Sequence, residues 1–481
     1  MASGVVNGDT SGAVTLSAPA VAGTVTVTLP STSGTMAVGG GTITTLTTTS
    51  DITVQGVTVG RGAGAVASNT AVGASALAAN QAGGTNNTAI GNAALDANTT
   101  GDANTAVGDS ALGANTTASN NTAVGYQAAY SGTTGAANTA IGYQAGYSGT
   151  TAEQAVYVGF QAGYNTTTSV NNVAVGYQSL LANTTGQTNT AIGHSALKAN
   201  TTASNNVAVG YQAAYTNITG TQITALGYQA LYTNTDNEIT GVGHQAGYYN
   251  TTGTRNCFVG PFASIANTTG SDNTSLGSAA LNVCTTGGNN TGIGRTALVA
   301  VTTGTNNLGL GFAAGGTLTT GSSNIYIGSG SNTASGVSVS NEMLICTGNQ
   351  VGKGASTGFI QPNGGGVYQG NNSATWSVTS DQRLKKNIVD NTDGLSKITG
   401  IRVRNYEYRL PEEVIDLPQN QAVAKTGIQL GVIAQELQAV LPDCIKTEST
   451  GVMSVDTDNL IWYLVNSIKE LKAEIDLLKG A

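Results

Sequence analysis

Along most of this chain, hydrophobic and polar positions alternate in short bursts that recur on a fixed period. The recurring phrase is Asn-Thr-Ala-Val/Ile-Gly-x-x-Ala, as in Asn121-Thr122-Ala123-Val124-Gly125-Tyr126-Gln127-Ala128. Its glycine returns at 73, 91, 108, 125, 142, 159, 176, 193, 210, 227, 243, 260, 277, 294, 311 and 328. Of the fifteen intervals between them, thirteen are 17 residues, one is 18 and one is 16, so the period is a coil length and not chance. A short fixed period makes each repeat a unit that cannot bury itself and must stack on its neighbours. Alternation within the phrase predicts a strand with Thr88, Ile90 and Asn92 on one face and Ala89, Gly91 and Ala93 on the other. The second face is small enough for another backbone to come close. Asn-Thr-Thr-Gly stretches at 98–101, 184–187 and 267–270 read as turns, and a coil of this length suits two short strands and two turns. The predicted fold is therefore mainly β, a β-solenoid or β-roll over residues 61–335, on the order of 75 Å long at about 4.8 Å per coil.

The Asn that opens the phrase recurs at 87, 104, 121, 138, 172, 189, 206, 256, 273, 290, 307 and 324. Stacked coils align these amides into a ladder that satisfies itself by hydrogen bonding, a reading favoured over glycan binding by the same residues. After each glycine comes the variable position, which holds Tyr126, Tyr143, Phe160, Tyr177, His194, Tyr211, Tyr228 and His244, then Pro261, Ser278, Arg295 and Phe312. Both histidines of the protein stand where other coils have Tyr, as stacking substitutes and not as metal ligands or bases. The stripe formed by Tyr126, Tyr143, Phe160, Tyr177, Tyr211 and Tyr228 serves stability as a stack; the competing reading has it facing a host-cell receptor such as a glycan. The repeats resemble the head repeats of trimeric autotransporter adhesins over roughly residues 68 to 330. That resemblance implies a three-chain β-roll with an adhesive surface.

Composition changes abruptly at Ser380. Of the 25 acidic and 17 basic side chains, only 10 and 5 fall before it, leaving 15 and 12 for the last 101 residues. The first 380 residues are too poor in Leu, Phe and charge for an ordinary globular core, and too regular for disorder. Gly, Thr and Val alternations such as Gly23 to Leu29, broken by Pro30, make residues 1–60 a small β segment whose expected role, from position alone, is attachment to another protein. Residues 336–380 read as a β-rich connector. The net charge of −8, without a basic run in the repeats, argues against a nucleic-acid partner. Residues 2–30 lack a basic start and an unbroken apolar stretch, and no 18-residue apolar run occurs, so neither a signal peptide nor membrane insertion is expected. Cys257, Cys284, Cys346 and Cys444 are widely spaced, which points to isolated, mostly buried thiols and to no metal site, disulfide framework or cofactor.

After Ser380 a mixed α/β stretch opens as Ser380-Asp381-Gln382-Arg383-Leu384-Lys385-Lys386-Asn387-Ile388. Gly431-Val432-Ile433-Ala434-Gln435-Glu436-Leu437, Leu441-Pro442 and Ser454-Val455-Asp456 follow, and then a final helix containing Ile468-Lys469-Glu470-Leu471. Residues 381–481 resemble the intramolecular chaperone domain of phage tailspikes and endosialidases, peptidase family S74. The resemblance implies self-cleavage of the Ser380–Asp381 bond by Ser380 and Lys385, with Asp381 as the new N-terminus. The chemistry suits the pair, because a serine hydroxyl attacks only once a base takes its proton, and a desolvated Lys is such a base. Lys386 is the solvated neighbour without a role. The sequence departs from the family pattern at Thr457, where an aromatic residue often follows the Val-Asp pair, and this puts local packing in question.

In the last helix, Ile461, Leu464, Ile468, Leu471, Ile475 and Leu478 follow the 3-4-3-4-3 spacing of a coiled-coil seam. Ile at a with Leu at d leans toward dimers in isolated peptides, so the rest of the chain must set a homotrimer. The competing reading packs this stripe on the helix's own domain. Taken with the repeats and the seam, the S74 resemblance implies a bacteriophage tail fibre, made in the host cytoplasm and carried on the virion, whose partners are its sister chains, other tail or baseplate proteins and a host cell-surface glycan or protein. A tailspike depolymerase would need a carboxylate pair about 5–10 Å apart, and no acidic residue recurs in a motif; Asp236 and Glu238 lie in an inter-coil turn. A non-viral surface adhesin would need a signal peptide and a membrane barrel, and a membrane-tethered transcription factor a basic DNA-binding domain.

Overall fold

The computed structural model describes residues 51–480 apart from 55–56, 334–337, 364, 370–376, 379, 418–422, 424 and 448–450. Most of the N-terminal β segment expected over 1–60 lies outside the described residues. The chain divides into two compact units, one ending at Val378 and the other beginning at Thr379.

Each phrase forms a strand of three residues, as in Thr88–Ile90, Thr105–Val107 and Thr122–Val124. The strands stack in parallel with like positions adjacent, Thr88 beside Thr105, Ala89 beside Ala106 and Ile90 beside Val107. One uninterrupted ladder runs from Thr70–Val72 to Gly358–Asn363. It therefore passes residue 335, and Met343–Cys346 and Gly358–Asn363 of the expected connector belong to the solenoid. Beyond it the pairing turns antiparallel through Gly365–Gln369 and Ser377–Val378. At the other end, Ile52–Val54 and Val57–Gly60 form an antiparallel hairpin on the first strand.

The coil has one strand where the sequence predicted two. After the phrase glycine the backbone is left-handed twice, at Ala93 (φ 51°) and Leu95 (φ 50°) in one coil and at Gln127 (φ 51°) and Ala129 (φ 50°) in another. Such residues cannot continue an extended strand, so the alternation of Thr88–Ile90 does not reach Asn92 and Ala93. The return limb still bonds coil to coil, the Leu95 N–H donating to the Ala111 carbonyl at 3.0 Å. Left-handed non-glycine residues cost about 1–2 kcal/mol each, and stacking from both sides holds them in place. The phrase glycine is dictated by the same geometry. Gly125 has φ 138°, and a Cβ there would lie 2.4 Å from the carbonyl oxygen of Gly142 in the next coil.

The core is thin. The middle strand residues Ala89, Ala106 and Ala123 are fully buried and meet Leu95 and Leu112 from the return limb. Where the middle residue is Tyr157, the facing limb shrinks to Gly146 and Gly163, and a Cβ on Gly163 would sit 2.3 Å from the ring. Cys284, Cys346 and Cys444 are buried, Cys257 is exposed, and none is bonded; burial pushes the Cys284 thiol up to about 11.

The phrase Asn residues are buried, apart from the part-buried Asn138, which removes them from glycan contact. They clamp backbone more than one another. The Asn87 carboxamide oxygen accepts the Asn104 N–H at 2.9 Å, and its NH2 group donates to the Gly101 carbonyl at 2.8 Å. Phrase amides donate to one another between Asn273 and Asn324, with Asn307 to Asn290 and Asn324 to Asn307 at 3.0 Å, and the turn asparagines form a second amide ladder, Asn98 donating to Asn80 and Asn115 to Asn98, both at 2.8 Å. Asn189→Ala is expected to orphan the Asn206 N–H, at a cost of about 1–3 kcal/mol, and to leave the Ala203 carbonyl to the Asn200 side chain alone. Amide hydrogen exchange at Asn206 would rise accordingly, while coils several repeats away keep their protection, because repeats couple only to their neighbours.

Candidate functional site

The C-terminal unit is built from three helices, α1 (Leu395–Thr399), α2 (Ala434–Gln438) and α3 (Leu460–Gly480). Two small antiparallel sheets join them, Arg404–Tyr406 with Gln429–Gly431 and Ile445–Thr447 with Met453–Val455. Leu437, Leu441 and Cys444 form its buried centre, with Ile401, Val432, Val455, Leu460 and Tyr463 packed around them. The motif residues serve this centre. Leu437 is the buried face of α2, whose Glu436 takes a two-point hydrogen bond from Arg404 at 2.7 and 3.1 Å. Asp456 pairs with Lys446 at 2.5 Å and accepts the Asp458 N–H at 3.0 Å, which turns the chain into α3. Thr457 is exposed, and its carbonyl accepts the Leu460 N–H at 3.2 Å.

Arg404 and Lys446 hold the Glu436 and Asp456 carboxyls below their ordinary range. Depressed carboxyls stabilise above their unfolded-state pKa, and that stability is lost as pH falls through the folded-state value. The denaturation midpoint of the helical circular-dichroism band, followed in an uncut Ser380→Ala chain, is expected to drop between about pH 5 and about pH 3. Glu436→Gln should lose less over that interval.

Ser380 and Lys385 come together. The Asp381 carboxylate accepts the Arg383 N–H at 2.8 Å and caps the short turn Gln382–Leu384. That turn folds the chain back, and Lys385 Nζ donates to Ser380 Oγ at 2.8 Å. Arg383 pairs with Asp381 and holds its carboxyl low. Ser380, Lys385 and Lys386 are all exposed.

The α3 seam is uncovered. Ile461, Leu464, Ile468, Leu471, Ile475 and Leu478 are between 42% and 79% exposed. The opposite side of the helix holds its own unit: Glu470 accepts the Leu395 N–H at 2.6 Å, Asn466 donates to the Asn391 carbonyl at 2.8 Å, and Tyr463 donates to Asp443 at 2.9 Å. The stripe therefore does not pack on its own domain. More apolar surface, not singled out in the sequence, is exposed at Leu384, Ile388 and Val389 around the dyad and at Val403, Ile428 and Leu430 in and beside the first sheet. Uncovered apolar surface on this scale marks an interaction face.

On the solenoid, the aromatic stripe is a continuous stack. Ring centroids are 5.3 Å apart between Tyr126 and Tyr143, 5.0 Å between Tyr143 and Phe160, and 4.8 Å between Tyr177 and His194. The stack continues through Tyr211 and Tyr228 to His244. Tyr126, Tyr143, Phe160, Tyr177, Tyr211 and Tyr228 are 40–45% exposed, and since each ring covers its neighbour's face, the exposed parts are edges and hydroxyls.

Residues 380–446 match the family Peptidase S74, chaperone of endosialidase, and the match begins on Ser380 itself. The chain thus carries a chaperone-of-endosialidase domain after a β-solenoid of 17-residue repeats. No solved structure matches it. Among the described residues, no helix is long and apolar enough to cross a membrane, and no group of three or more His, Cys, Asp and Glu is placed to hold a metal ion.

Proposed function

We propose that this chain is one subunit of a trimeric bacteriophage tail fibre or spike, whose C-terminal domain assembles three chains and then cuts itself off between Ser380 and Asp381. The observation that carries the reading is the uncovered α3 seam in a domain of this family. A helix held by one face to its own unit, with an apolar seam left over, is built to meet other copies. The exposed dyad fits the same scheme. Lys385 already donates to Ser380 Oγ, but a lysine amine becomes a base only when it is stripped of water. Neighbouring chains would supply that cover, so cutting waits for assembly. Ser380 Oγ cannot reach its own carbonyl carbon without closing a four-membered ring. The attacking oxygen therefore comes from a water held by the dyad, or from a sister chain's serine, whose ester with the Ser380 carbonyl a water then hydrolyses; in either case the Asp381 amine leaves with a proton.

In this scheme the solenoid is the mature product, made in the host cytoplasm and carried on the virion, joined to other tail or baseplate proteins and presenting its surface to a host cell-surface glycan or protein. Release of the chaperone leaves it kinetically trapped, with stability expressed as slow unfolding. A depolymerase reading gains nothing from three of the solenoid's acidic side chains. Asp102 is spent on Thr85, Asp272 on Arg255, and Glu342 on Tyr326 and the Gly354 N–H. The test is expression of the full chain followed by N-terminal sequencing of the fragments: a piece beginning at Asp381 supports the scheme, and an uncut wild-type chain refutes the cleavage.

A further inference from the structure

One side of the solenoid is an open sheet. In each of the seventeen parallel strands from Thr70–Val72 to Met343–Cys346, a buried residue such as Ala89 is flanked by two that point outward, here Thr88 and Ile90. The second outward residue is Val, Ile or Leu in every coil, and the first is Thr or a hydrophobic residue. Ile90, Ile141, Ile192, Val209, Leu276 and Leu310 are 36–46% exposed. No outward position of these strands is charged, although Asp96, Asp102, Lys198, Arg255, Asp272 and Arg295 stand on the turns and return limbs of the same coils.

The face also keeps its repeat where the chain loses its own. The 18-residue interval leaves Thr70 beside Thr88, and the 16-residue interval leaves Thr224 beside Thr240. Irregularity is taken up elsewhere in the coil, as is side-chain variety: the position after the phrase glycine holds Asn92, Asp109, Tyr126, Pro261 or Arg295. At about 4.8 Å per coil and about 3.3 Å per residue, the sheet face measures on the order of 800 Å². That is about what each partner contributes to a stable, specific interface, and loss of charge is the mark of an interface centre. The relief of the face repeats once per coil. Only a partner with the same repeat can seat on all seventeen rungs, and a second copy of this chain has it.

We propose that this sheet face is the surface on which the solenoids of three sister chains pack, around an axis running along the coils. The proposal deepens the fibre reading and rests on it. In that reading α3 departs with the released fragment, so the solenoid needs a contact surface of its own to stay assembled. Rotation about such an axis sets every coil beside the same coil of its sisters, so the aliphatic line of each chain meets its counterparts along the whole length.

The chain carries its own probe. Of the three cysteines before Ser380, Cys284 and Cys346 are buried by the solenoid itself, whereas Cys257 is exposed and stands on the sheet face between Thr240 and Thr274. Reduced, folded wild type is treated with a maleimide, its assembly state is read by native mass spectrometry, and the labels are then located after unfolding. Three-chain particles without a label at Cys257 are expected. Three-chain particles labelled at Cys257 would overturn the proposal and leave the fibre reading standing. Single chains would remove the fibre reading and the proposal with it, and an unlabelled Cys257 in them would put a segment of the same chain on the face. Ile192→Lys, which places a charge on the face, should lower the share of three-chain particles at least about tenfold and yield single chains labelled at Cys257 alone. Thr185→Lys, on an exposed turn, should assemble and stay unlabelled as wild type does. Normal assembly of Ile192→Lys would also overturn the proposal; if that variant is labelled at all three cysteines it has misfolded, and the wild-type count decides.

Discussion

A Ser380→Ala chain is expected to remain whole under conditions in which the wild type splits after residue 380. Lys385 Nζ donates to the Ser380 hydroxyl at 2.8 Å, and removing either member of an acid–base pair costs a rate factor of at least about a hundred. Lys385→Ala should behave alike. Lys385→Arg should not rescue, because a guanidinium keeps its proton. Lys386→Ala should cut normally, since that side chain is a solvated neighbour. The three lysine variants read on one denaturing gel separate a dyad from a general effect of charge near the bond. Efficient cutting by Ser380→Ala would remove the serine from the chemistry.

Ile468→Asp should leave the chain both unassembled and uncut. Ile468 is 65% exposed in the single chain and stands at the centre of the seam. A threefold seam would bring three carboxylates together without partners, each at a desolvation cost of several kcal/mol. Three heptads are marginal to begin with, so this exceeds what the seam can absorb. The substitution leaves Tyr463, Asn466 and Glu470, which hold α3 to its own unit, untouched. Sedimentation should therefore show single chains with their helical content retained. Single chains that still cut at the wild-type rate would separate cleavage from assembly and discard the proposed trigger.

The solenoid was legible because a 17-residue period and a three-residue apolar phrase survive every change of side chain. Its return limb was not, since left-handed Ala, Gln and Leu residues have no signature of their own; stacking imposes them. One signal was available. The residue before the phrase Asn is left-handed, and in Asn86-Asn87, Asn120-Asn121 and Asn205-Asn206 it is itself Asn, the residue most tolerant of that conformation. A second tyrosine ladder, through Tyr130, Tyr147 and Tyr164, was visible at four residues beyond the first. In the C-terminal unit the seam spacing could be read directly. Its exposure could not, because Leu464 facing solvent and Leu437 in the core are written alike.

Native mass spectrometry of the purified wild-type protein bears most directly on the central claim. The account predicts a particle of three chains ending at Ser380, with a separate fragment beginning at Asp381. A single uncut chain of 481 residues, with no higher assembly, would contradict it.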